Sequence, residues 1–383
     1  MNFKEYIQEK KNLQSVLLEY LEDESEADQS YDNFHKVIND QQIIESQQEF
    51  KSLLYLINII GNHHHRSHYF IKKIEKILDH FKEDIKKYLS NSEIFEFFKY
   101  NKRILLFLIE EKILVIDMYI ALQIACNEFV DQKYSEYFAP EVKPFITDEL
   151  IDKLGGQKEE TAKEHDKYFF EKRKEGENDD FLCNLIRLDK IDEFVTYANQ
   201  TNLALNCHIH GSIFETNPLL YHKEIKLIEY ALFFGSIRII KYMHLNGVEL
   251  HRSMWEYAIH SQNGEAIRYL EENYSSSYPS NYDNCKSFLI ESIRCHHIDI
   301  TNYIIDNVIK EDDPKIKIEY YYDNSYYLYS FKYNNYCFFP ENEEYKYFLL
   351  RLAEFDYYTL VSLYLQDKSI NYDINEILNT KIL

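Results

Sequence analysis

The chain has 383 residues, enough for two ordinary domains or one elongated repeat body. Its formal net charge of −22, with no long Lys/Arg run to reverse it locally, excludes charge-driven binding of DNA, RNA or an anionic membrane. With only 8 Gly and 6 Pro there are too few turn residues for a sandwich or barrel, so the 45% of hydrophobic residues points to an all-α core. Six cysteines, none in a C-x-x-C pair, read as reduced thiols. The charged start of the chain and the absence of any run near 18 apolar residues lead us to expect neither a signal peptide nor a membrane span. A cytoplasmic location, or a nuclear one, is expected by elimination.

In chain order, residues 2–21 carry a helical pattern, 21–28 form an acidic loop and 49–60 form a short apolar helix. Phe70, Ile71, Ile74, Ile77, Leu78, Phe81, Ile85, Tyr88 and Leu89 fall on one stripe at helical spacing, which predicts an amphipathic helix. The charges between Lys72 and Lys87 read as its solvated face. Ser90 and Glu93 stand at capping-box spacing ahead of a short helix, and Asn101 caps another over 103–113. An apolar segment, 115–130, closes an N-terminal helical domain of residues 1–130. Pro140, Pro144 and Gly155-Gly156 then interrupt the pattern, and 158–180 is mostly charged. Residues 131–180 therefore read as a linker on which Phe169 and Phe170 dock locally.

From residue 181 onward the chain repeats itself. Short amphipathic segments at 237–243, 264–270, 298–304 and 357–365 each follow another short helix, at 227–234, 254–260, 288–295 and 347–355. The joints are Gly235-Ser236, Gln262-Asn263, His296-His297 and Asp356. Lys241, Arg268 and Asn302 are equivalent and lie 27 and 34 residues apart; Ser362 follows after one repeat plus an insertion, residues 312–340. An opening unit is expected at 182–197, split at Asp189-Lys190, and 91–112 mimics another. A unit this small cannot bury its own apolar face, so several must share a continuous core.

Residues 227–250 resemble the ankyrin repeat through Ala231, Gly235, Ile239-Ile240-Lys241, Met243 and Asn246-Gly247. Residues 212–220, 227–236, 255–260 and 270–273, with Asn62-His-His-His-Arg-Ser67, Ser92-Glu-Ile-Phe95 and 101–109, are similar to a large ankyrin-repeat family expanded in trichomonad protists. The resemblance implies an ankyrin-like solenoid of helix-turn-helix repeats over 181–383, behind an N-terminal helical extension. It names no partner.

Motifs for chemistry are sparse. His63-His64-His65 with His68, and Cys207-His208-Ile209-His210, lack the third and fourth ligands and the spacing of a zinc site, so a loop role is expected for both and no metal is assigned. His296-His297 is given a role in the joint between repeat helices. Phosphate-cradle and nucleophile-elbow motifs are absent, so neither a cofactor nor a catalytic residue is assigned. Eight tyrosines in the insertion read as an extended loop or hairpin packed on the stack, or as a protruding contact surface.

The expected function is a non-enzymatic protein–protein interaction scaffold with an unidentified protein partner. Its contact surface would be concave, made by first helices and inter-repeat loops. Glu249, His251, Arg252 and Trp255 near one such loop, with Tyr326 and Tyr327 in the insertion, are the candidate contacts. Trp255 is weighed both as an exposed anchor and as a side chain buried against the preceding unit. The rival expectations are an enzyme with a site in the N-terminal half, around residues 63–68, and a structural subunit of a larger assembly.

Overall fold

The computed structural model describes residues 2–25, 29–65, 69–126, 134–145, 167–221, 224–274, 282–308, 325–340 and 349–366. Helices make up most of the described backbone. The one pairing of extended backbone among the described residues is an antiparallel bridge between His208 and Lys226. No helix among them is long and apolar enough to cross a membrane.

The first helices are α1 (Phe3–Glu22), α2 (Gln29–Asp40), α3 (Gln47–His63), α4 (Phe70–His80), α5 (Lys82–Tyr88), α6 (Asn91–Phe98), α7 (Lys102–Glu110) and α8 (Met118–Cys126). Next come α9 (Tyr134–Tyr137), α10 (Ala139–Val142), α11 (Lys167–Glu175), α12 (Phe181–Arg187), α13 (Ile191–Thr201), α14 (Pro218–Tyr221), α15 (Leu227–Phe233) and α16 (Ile237–Leu245). The last are α17 (Trp255–His260), α18 (Gly264–Asn273), α19 (Tyr282–Arg294), α20 (Ile298–Tyr303), α21 (Ser325–Lys332), α22 (Leu349–Glu354) and α23 (Tyr358–Gln366).

Local signals set many of these ends. Ser90 accepts from the Glu93 N–H while Glu93 reaches back to Ser90 N–H, the reciprocal cap its spacing predicts. Asn101 caps α7 through Ile104 N–H at 3.0 Å. The stripe from Phe70 to Leu89 is not one helix but two, with Phe81 between them at φ −93°, ψ 13°. The break leaves the buried face unchanged: Ile74, Ile77, Leu78, Phe81 and Ile85 are all fully buried.

The chain divides into two compact units. One comprises Gly61–His65 and Ile71–Pro279; the other comprises Met1–Ile60, Arg66–Phe70 and Ser280–Leu383. Neither has an edge at 130 or 180, where sequence placed its boundaries. The described parts of the expected linker 131–180 are packed helices. Tyr134 and Tyr137 are fully buried, and the Arg173 guanidinium, 2% exposed, meets the Glu141 carboxylate with two bonds of 2.7 and 2.8 Å. It also donates to Tyr137 O and lies over the rings of Tyr137, Phe169 and Phe170. A charged composition concealed a core because the charges that matter are paired.

Within each unit, helices follow one another in pairs joined by the same turn. In the Gly61-containing unit the pairs are α12/α13, α15/α16 and α17/α18; in the other they are α19/α20, α21 with the 3-10 turn Tyr336–Phe338, and α22/α23. Each joint holds one residue in the left-handed region: Asp189 (φ 46°), Gly235 (66°), Gln262 (53°), His296 (59°), Asn334 (49°) and Asp356 (62°). At five of these the next N–H reaches back five residues, as from Lys190 to Leu185 O (3.0 Å), Ser236 to Ala231 O (2.9 Å) and Tyr357 to Leu352 O (2.8 Å). This satisfies carbonyls that a helix end would otherwise orphan. The pairs at 182–197, 227–243, 254–270, 288–304 and 347–365 are those expected from sequence. The pair built on Asn334 was not expected. It lies in the insertion 312–340, of which residues 312–324 fall outside the described residues.

Neighbouring pairs are tied joint to joint. The residue after the left-handed position donates from its side chain to a carbonyl of the preceding pair. Ser236 bonds Ile186 O (2.6 Å), Asn263 bonds Gly235 O (2.9 Å), Asn335 bonds Ile293 O (2.9 Å) and Tyr357 bonds Phe331 O (2.7 Å). In three of the four, the acceptor stands three residues before the left-handed residue of its own joint. First helices α12, α15 and α17 pack in series, as do second helices α13, α16 and α18; α19, α21 and α22 form a second series.

Gly235 combines a left-handed backbone with a close approach, because a Cβ there would stand 2.9 Å from Asn263 Cβ. Gly235→Ala is therefore expected to lower unfolding free energy by about 1–3 kcal/mol. Gln262→Gly, at the equivalent place, is expected to be neutral or slightly stabilising. Chemical denaturation of the two variants beside the parent chain measures both.

Candidate functional site

The loop from α16 to α17 carries most of the sequence candidates. Helix α16 ends where Gly247 (φ 90°) turns the chain and Val248 N–H returns to Met243 O at 3.1 Å. The next residues alternate: Val248 and Leu250 are buried, whereas Glu249 is exposed and His251 half-exposed. This anchors the loop by its apolar side chains and turns the polar ones outward. Glu249 Oε2 stands 3.8 Å from His251 Nε2. Arg252, half-buried, opens the 3-10 turn Arg252–Met254. Leu245, at the end of α16, is 82% exposed and borders the same loop in sequence.

Trp255 does not belong to this surface. It is 2% exposed, and the candidate role of an exposed anchor is corrected to that of a core side chain. The reason is the helix it begins: every residue of α17 except Glu256 is buried, and the same holds for α15 except Glu229. Helices α15 and α17 therefore offer almost no exposed side chains to the surface expected of first helices. The outward side chains belong to the second helices, where Arg238 pairs with Asp189, Lys241 with Glu265 and Arg268 with Glu272. These exposed pairs each contribute little to stability.

Tyr326 and Tyr327 stand on α21 and are half-buried. Tyr326 meets Phe338 edge-on at 5.7 Å, and Tyr327 packs against the core formed by Phe331, Tyr336, Phe339 and Tyr357. They are parts of a helix pair, with only partial exposure, and not a protruding tyrosine loop. They belong to a different unit from the Glu249–Arg252 loop.

Sequence reasoning passed over a small cleft lined by Lys102, Asn178, Ser212, Glu215, Leu220 and Tyr221. Lys102, buried at the start of α7, donates to Ile213 O at 3.2 Å and lies 5.2 and 4.9 Å from the ring centroids of Tyr137 and Tyr221. Glu215 is buried too, and its carboxylate accepts the backbone N–H groups of Thr216 (2.9 Å), Asn217 (2.8 Å) and Asn178 (3.3 Å). Asn178 donates to His210 O, Ser212 donates to Asp179, and Arg187 bridges Asn178 O and the Tyr230 hydroxyl. The knot clamps residues 176–180 to 210–217, and its lining contains no imidazole to activate Ser212. Its only sequence signal was the run Glu215-Thr216-Asn217-Pro218, whose meaning depends on backbone groups.

The histidine and cysteine clusters fall in structural places. His63 ends α3 and His64 is buried just beyond it; His68 lies outside the described residues. His208 and His210 are exposed, on the strand-like segment that bridges to Lys226. His296 and His297 are both buried in their joint, as the sequence reading of that turn expected. Burial pushes the Cys183 and Cys295 thiols well up, and neighbouring Asp180 and Glu291 add to it. Comparison of the chain with protein-family models, curated proteins and solved structures returned no match.

Two outcomes follow from this geometry. Glu215→Ala strands three backbone donors and is expected to cost at least about 2 kcal/mol, read by denaturant titration. On the native chain a maleimide is expected to label Cys207 well before Cys183 or Cys295, which become reactive on unfolding; timed labelling with mass spectrometry checks the order.

Proposed function

We propose that the chain is a non-enzymatic protein-interaction scaffold built from degenerate ankyrin-type helix pairs. The observation that carries the reading is the recurrent joint. A left-handed residue, and at four joints a side chain after it that bonds the preceding pair, recur from pair to pair within each unit. Such recurrence is the elementary requirement of a helical solenoid, whose units share their cores with neighbours. The anchored loop after α16 supports an interaction role in particular. It is held by Val248, Leu250 and Met254 from beneath and offers Glu249, His251 and Arg252 with Leu245 above. Rigid presentation of a few polar and apolar side chains lowers the entropy lost on binding. Because α15 and α17 are buried, the contact surface assigned here is this loop edge and the outward second helices, and not a concave groove. Cys183, Cys207, Cys295 and Cys337, none of them in a disulfide, suit a reducing compartment, cytoplasmic or nuclear.

The test is affinity recovery from native cells with quantitative mass spectrometry. A chain carrying His251→Ala and Arg252→Ala, and separately Leu245→Asp, is expected to keep the parent melting temperature and recover its partner at least about tenfold less well. Unchanged recovery with both variants removes this loop as the contact.

A further inference from the structure

We infer that α1, at the start of the chain, serves as the missing second helix of the α21 pair, so that one repeat is completed by two segments more than three hundred residues apart. The other described pairs carry a second helix after the joint, as with α13, α16, α18 and α23. After Asn334 and Asn335 the chain makes only the 3-10 turn Tyr336–Phe338 and then reaches Pro340. Helix α1 packs against that turn and against α23. Second helices α13, α16 and α18 also pack side by side; α1 differs in meeting α21 through the shared core around Phe331 and not along its length.

Polar contacts set its register. Gln14, fully buried, donates from Nε2 to Asn335 Oδ1 at 2.9 Å and accepts the Tyr336 N–H at 2.7 Å. Asn335 is the residue that ties this joint to the preceding pair through Ile293 O. One side chain of α1 thus reads both the joint and the residue after it, and a slip of one residue would strand a buried amide. A second clasp lies one turn back. The buried Lys10 ammonium pairs with Glu49 of α3, and Glu49 also accepts from the hydroxyls of Tyr6 (3.1 Å) and Thr359 (3.0 Å), the latter on α23. Around these contacts Phe3, Tyr6 and Ile7 enter one core with Phe331, Tyr336, Phe339, Leu360 and Tyr364; Phe3 meets Tyr364 edge-on at 6.0 Å.

The inference uses the repeat register of the proposed function and does not depend on any partner. Its test is hydrogen exchange by mass spectrometry on the full chain. Gln14→Ala is expected to speed exchange about tenfold or more in residues 3–22 and 331–364 together, leaving α16 unchanged. Phe3→Leu, a milder change at the far end of α1, is expected to couple α1 to residues 358–366 in the same way and serves if Gln14→Ala does not fold. Gln8→Ala, on the exposed face, is expected to change neither. Faster exchange confined to residues 3–22, or no change in either segment with both variants, overturns the inference. Lost partner recovery with normal coupled exchange would count against the scaffold reading alone.

Discussion

The helix pairs among the described residues share one small device, the left-handed joint, which at four of six joints carries an onward side-chain bond. A helix end leaves carbonyls unsatisfied, and a left-handed residue lets the following N–H groups return to them. The chain then reverses in two residues, close enough for the second helix to lie on the first. The next side chain is left pointing at the previous pair. Ser236, Asn263, Asn335 and Tyr357 differ in size and chemistry, yet each delivers a donor to a backbone carbonyl. Backbone acceptors make no demand on sequence, which is why the repeats can diverge and still stack.

That tolerance explains what was legible in the sequence. Short apolar stripes separated by a polar or Gly joint are read from spacing alone, and five of the six pairs were expected within a few residues of their helices. The joint at Asn334 escaped because tyrosines dominate its surroundings and only the 3-10 turn Tyr336–Phe338 follows it before Pro340. Residues 134–145 and 167–180, the described parts of the expected linker, were misread for another reason. Arg173 looks like a surface charge until Glu141 and the rings of Tyr137, Phe169 and Phe170 surround it. Composition counts a charge as exposed; only the three-dimensional partner makes it interior.

The contact surface was legible in part. Asn246-Gly247 located the turn after α16, and alternation along 248–251 decides which side chains leave the core. Trp255 was read from sequence as the side chain more readily buried, with an exposed anchor as the alternative, because a tryptophan at a helix start suits both. Burial of the whole of α17 apart from Glu256 settles its place. The Lys102–Glu215 knot could not be found from residue types, since Glu215 is bound by N–H groups that every residue possesses.

Completing a repeat with a distant helix raises the question of cost. Loop-closure entropy grows only with the logarithm of length. Bringing Gln14 to Asn335, 321 residues apart, costs about 2.5 kcal/mol more than closing a loop of about 20 residues. Against this, α1 brings Phe3, Tyr6 and Ile7 into the core of α21 and α23. At about 1.5–3 kcal/mol for each large apolar side chain, a few of these suffice to offset the long closure. The expense falls on kinetics, because contacts of such separation form late. In a chain made from its N-terminus, α1 and its apolar face precede their partners on α23 by most of the sequence. The buried pairs Gln14–Asn335 and Lys10–Glu49 then act as selection: an amphipathic helix meets many apolar surfaces, but few that satisfy an amide and an ammonium at one-turn spacing.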